Sequence, residues 1–69
     1  MSQDEREKLI KLLDHWIEHN VEHADGYSKW AAKAKEFGKN KVHDEIIMAI
    51  QHIKNANVSL GNALDEMKK

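Results

Sequence analysis

A chain of 69 residues, 41% hydrophobic and 33% charged, has room for one small domain, residues 1–69. Its formal net charge of −1 gives no general electrostatic attraction to nucleic acid or anionic membrane, and the absence of cysteine excludes a disulfide framework. No apolar run approaches the roughly 18 residues that would span a bilayer, and the opening MSQDEREK is too polar and acidic for a signal peptide, so a cytoplasmic location away from membranes is expected.

So short a chain buries too small a share of its surface to be comfortably stable by core burial alone. The remaining ways to reinforce it are a metal, oligomerisation or very regular helix packing.

In the first half, Ile10, Leu13, Ile17, Ala24, Tyr27, Ala31 and Ala34 fall on a three-four alternation, with Asn20 in the one slot that lacks an apolar residue. The phase runs through Gly26 unbroken, which predicts one long helix over about residues 4–37 despite the helix-interior cost of glycine. The competing reading breaks the chain at Ala24-Asp25-Gly26, with Asp25 as an N-cap, and yields a three-helix monomer.

Phe37-Gly38-Lys39-Asn40 reads as a tight helix-to-helix turn, with Gly38 ending the first helix and Asn40 capping the second. The second helix then alternates Val42, Ala49, Ala56 and Ala63 with Ile46, Ile53, Leu60 and Met67. Its small residues predict a narrow seam against the partner helix.

Two long helices joined by a short turn make an all-α antiparallel hairpin. Ile47, Met48, Ile50 and Leu64 flank the second seam, while Leu9, Leu12 and Trp16 broaden the first, which is more apolar surface than one helix-helix contact covers. A homodimer forming a four-helix bundle is therefore expected. Head-to-tail docking would set the turn-end lysines, Lys29, Lys33, Lys35, Lys39 and Lys41, beside Asp4, Glu5, Glu7, Asp65 and Glu66 of the mate.

The segment HWIEHNVEH places His15, His19 and His23 in a stripe beside the first seam. Residues four apart on a helix are stacked neighbours, so two of these imidazoles can share an ion, whereas His15 and His23 are separated by about 12 Å of rise. A hairpin with its turn near Lys39 sets His52 opposite Gly26, within a turn of His23. His19, His23 and His52 are therefore the candidate ligands, completed by Glu22 or water, for Zn²⁺, Ni²⁺ or Cu²⁺. The bland alternative is that these histidines are ordinary solvated or interface residues. The order His15 to Glu18 and His19 to Glu22 is the reverse of the Glu-x-x-His pairs that a ferritin-type iron site needs.

Trp16, Tyr27, Trp30 and Phe37 have the spacing of core-filling residues, although Trp30 with Lys33 could face a partner. His15, Trp16, Trp30 and Lys33 are accordingly the candidate interaction residues. No nucleophile-base arrangement, phosphate loop or paired carboxylate site is present, so no enzymatic activity is expected.

The string HWIEHNVEHADGYSKWAAKAKEFG, residues 15–38, resembles a small helical domain family of unknown function from archaea and anaerobic bacteria. Its pattern is His-Trp-x-x-His-Asn-x-x-His-Ala-x-x-Tyr-x-x-Trp-Ala, carried here by His15, Trp16, His19, Asn20, His23, Ala24, Tyr27, Trp30 and Ala31. Gly26 falls where that family is expected to have a helix former. The resemblance covers about a third of the chain. It implies that the histidines and tryptophans act as a unit, and an association with nickel-binding or metal-handling domains.

Two functions are consistent with these residues. One is a transition-metal accessory or buffering module for Ni or Zn. The other is a dimeric structural or protein-interaction module with no physiological metal.

Overall fold

The computed structural model describes residues 1–69 as two helices, α1 (Gln3–Glu36) and α2 (Asn40–Lys68), folded back on each other into a hairpin about 53 Å long. No helix is long and apolar enough to cross a membrane. Ser2 starts α1 with a capping box: the Glu5 backbone N–H donates to Ser2 Oγ at 3.2 Å, and the Ser2 N–H donates to Glu5 Oε1 at 3.3 Å. Two of the amide donors orphaned at a helix start are thereby satisfied, and Asp4 and Glu5 complement the positive end of the helix dipole.

α1 runs through Gly26 without interruption. The three-helix alternative is therefore overturned: Asp25 caps nothing, and the local cost of one glycine, about 1 kcal/mol, is outweighed by the continuity of the seam on either side. A Cβ added at Gly26 would meet nothing within 4 Å, so no close approach inside the hairpin explains this glycine.

The turn is a Schellman motif. The Gly38 N–H donates to Lys35 O at 3.0 Å, the Lys39 N–H donates to Ala34 O at 2.9 Å, and Gly38 holds φ at +80°. That geometry delivers the chain directly into α2, so Lys39 occupies the cap position without any side-chain cap bond and Asn40 is the first helical residue. The expected capping role of Asn40 does not occur.

Along α1 the seam is the one read from the sequence except at Tyr27, which is exposed. Leu13, Ala31 and Ala34 are buried, and Ile10, Ile17, Asn20 and Ala24 are half-buried. The α2 seam differs. Ile46, Ile53, Leu60 and Met67 do face α1, but they alternate with His43, Ile50, Asn57 and Leu64 rather than with Val42, Ala49, Ala56 and Ala63. Turning the helix this way buries an isoleucine and a leucine where the expected phase would have buried alanines, and each extra apolar side chain favours burial by about 1 kcal/mol or more. It also brings Asn57 to Asn20. The alanine stripe is left on the flank, with Ala56 and Ala63 exposed.

At the open end the Arg6 guanidinium donates to the backbone carbonyls of Met67 and, at 3.4 Å, of Lys69. A cation is thus placed against the electronegative end of α2.

Only 4 of 69 residues are buried, and the chain exposes 5399 Å². A compact folded monomer of 8.0 kDa exposes about 4,450 Å², so the hairpin leaves roughly 950 Å² more surface in water than its mass requires.

Candidate functional site

The three histidines of α1 form a ladder on its surface. The rings of His15 and His19 stack with centroids 5.7 Å apart, and His19 meets His23 edge-on at 4.4 Å. His23 is followed at 6.0 Å by the ring of Tyr27. Four-residue spacing on a continuous helix accounts for this order, since each Cβ leans over the turn before it.

The structure does not assemble the expected trio of His19, His23 and His52. Nowhere in the chain does a group of three or more His, Cys, Asp or Glu side chains lie where it could hold a metal ion, with Glu22 no exception. The reason is the phase of α2. At 100° per residue the observed seam is centred roughly 50° round the helix from the expected one, which swings His52 from the edge of the contact to roughly 120° away from it. His52 is exposed accordingly. His43 turns inward instead, half-buried, with Nδ1 3.0 Å from Asp44 Oδ1.

The aromatic residues do not fill the core of the hairpin. Trp16 is 42% exposed, Tyr27 41%, Trp30 63% and Phe37 72%. The seam beside them is built from Ala24, Ala31 and Ala34, which draw the helices too close to admit large rings. They line one side of the hairpin instead, where Tyr27 and Trp30 of α1 and Ile46 and Ala49 of α2 form an open, wholly apolar groove. Lys33 Nζ sits 5.4 Å from the centre of the Trp30 ring, a cation–π contact at the groove's edge. Trp16 and Trp30 thus share a side of α1 with His23, while Lys33 and His15 lie further round, His15 bordering a separate, charged depression with Asp4, Glu7, Lys8 and Lys11.

A family described as a domain of unknown function (DUF8180) matches residues 9–67. The chain belongs to this family. The DUF8180 match spans both helices, the turn and the entire histidine ladder, and so extends well beyond residues 15–38 that carried the resemblance in the sequence. The Ser2 capping box lies outside it. No curated protein and no solved structure matches the chain.

Asn57 is the site residue that the sequence reading missed. A signal for it existed: Asn20 was the only polar member of the α1 seam, and a half-buried amide calls for a partner across the interface.

Proposed function

We propose that this chain is a self-associating helical interaction module, a homodimer in which two hairpins complete a four-helix bundle, with a binding rather than a catalytic role. One observation carries the reading: Trp16, Tyr27, Trp30 and Val42, which the hairpin does not bury, lie exposed along one side beside an apolar groove. An apolar side of this extent costs free energy in water and favours association. Two faces per helix, one turned to each neighbour, is also the arrangement that a four-helix bundle requires. The lack of cysteine fits a cytoplasmic setting.

Sedimentation equilibrium over micromolar to sub-millimolar concentrations tests this directly. A monomer-dimer equilibrium is expected, with Trp16→Ala and Trp30→Ala shifting it toward monomer. A chain monomeric throughout that range would overturn self-association and direct attention to a different protein partner for the same face.

A Ni or Zn accessory role is supported by a single feature, the His19–His23 pair, for which a single chain provides no third donor.

A further inference from the structure

Beside the seam that joins α1 to α2, each helix carries a second three-four series one residue earlier, roughly 100° round its axis. In α1 it contains Leu12, Trp16, His19, His23, Gly26 and Trp30. In α2 it contains Val42, Ala49, His52, Ala56, Ser59 and Ala63. Trp30 and Ala49 line the same groove, so the two series share one side of the hairpin.

The spacing of the α1 series is palindromic. The α1 series reads the same in either direction about Val21, so an antiparallel copy of α1 would set Leu12 against Trp30, Trp16 against Gly26, and His19 against His23. The bulky indole then meets the residue with no side chain, whose Cβ direction is empty in the single hairpin. Within the α2 series the three alanines are evenly spaced about Ala56, so an axis at that level would pair Ala49 with Ala63. The Asn20 amide donates to Asn57 Oδ1 at 2.8 Å, which sets Val21 level with Ala56. A single two-fold axis across the hairpin at the level of Val21 therefore also passes the middle alanine of the α2 series. The same operation brings Lys33 level with Leu9 and within a turn of Glu5 of the second copy, so charge complementarity supports the same orientation.

We propose that a second copy of this chain docks head to tail on this side, about a two-fold axis level with Val21 and Ala56, and that His19 and His23 of both copies converge there as a four-imidazole site for a borderline divalent transition-metal ion such as Zn²⁺. This rests on the self-association proposed above. It explains why one chain shows a paired but incomplete ligand set: half of the ligands come from each copy. Two imidazoles sharing a Zn²⁺ at about 2.0–2.1 Å per bond have centroids roughly 5 Å apart, close to the 4.4 Å between His19 and His23. Zn²⁺ accepts four nitrogen ligands in a tetrahedron, the arrangement that two crossed pairs supply. His15 lies outside the site as a stacked neighbour of His19, and His52, on the same side of the hairpin, stands one turn of α2 from the level of the axis.

Zn²⁺ titration of chelator-treated, tag-free protein by calorimetry, with sedimentation of the same samples, separates the two layers of this reading. One Zn²⁺ per two chains is expected, at micromolar or tighter affinity, and weakened at least about 100-fold in His19→Ala and His23→Ala but not in His15→Ala or His52→Ala. The dimer need not pre-exist: assembly appearing only with Zn²⁺ also supports the site. A dimer that takes up no Zn²⁺, or one ion per chain, or one insensitive to His19→Ala and His23→Ala, overturns the metal site and leaves self-association standing. A chain that stays monomeric with and without Zn²⁺ overturns both. Gly26→Leu checks the axis: its helical circular dichroism should match wild type while the dimer is lost, and a dimer that survives this substitution places the contact elsewhere.

Discussion

Asn20 and Asn57 meet across the hairpin, the Asn20 amide donating to Asn57 Oδ1 at 2.8 Å while the Asn57 amide donates to Ile17 O at 3.3 Å. The pair sits among apolar neighbours on both seams, where a one-turn slip of either helix would leave an amide facing a hydrocarbon side chain. Its role is to select one register out of several that the apolar positions would tolerate.

Asn57→Ala should lower stability by about 1–2 kcal/mol, because Asn20 then keeps a half-buried amide without its partner. The double substitution Asn20→Leu with Asn57→Leu should recover that loss or exceed it, while broadening the NMR amide spectrum as registers begin to interchange. Thermal melts of the three proteins decide the first point. A double variant as sharply resolved as wild type would remove the register role.

Gly38→Ala should destabilise the hairpin by about 1 kcal/mol. The left-handed φ of +80° costs a residue with a Cβ, and the Schellman bonds to Ala34 and Lys35 depend on that conformation. Denaturant unfolding measures it, and an unchanged midpoint would show that the turn can be closed another way.

Ser2→Ala removes the acceptor for the Glu5 N–H and should cost about 1 kcal/mol, seen first as fraying of the first turn of α1 by hydrogen exchange. Equal protection of the first-turn amides in both proteins would assign the cap no energetic role.

Gly26→Ala separates the hairpin from its assembly. In dilute, monomeric protein the added methyl meets nothing within 4 Å, so helix propensity alone should raise stability by about 1 kcal/mol. At concentrations where the proposed dimer would form, the gain should shrink or reverse, since the methyl would then press on Trp16 of the second copy. Melting temperatures of both proteins measured against concentration decide this, and a constant gain would mean that Gly26 faces solvent in the assembly as well.

The helices, their hairpin and, Tyr27 apart, the α1 seam were determined locally and could be read directly. Period, caps and the Gly38 stop are properties of neighbouring residues, and the three-four series in α1 admits one phase as its burying face. α2 offered two phases. Ile46, Ile53, Leu60 and Met67 belong to both, and only the partner helix decides whether alanines or Ile50, Asn57 and Leu64 accompany them. The larger apolar area and the Asn20 amide settled it, and both are properties of a contact between residues far apart in the chain. The same rotation kept His52 from joining His19 and His23 and left the aromatic rings on the surface, so the absence of the expected histidine trio and the placement of the tryptophans were decided by tertiary packing. The tie between His19 and His23 was legible throughout, because four residues of continuous helix are sufficient to make it.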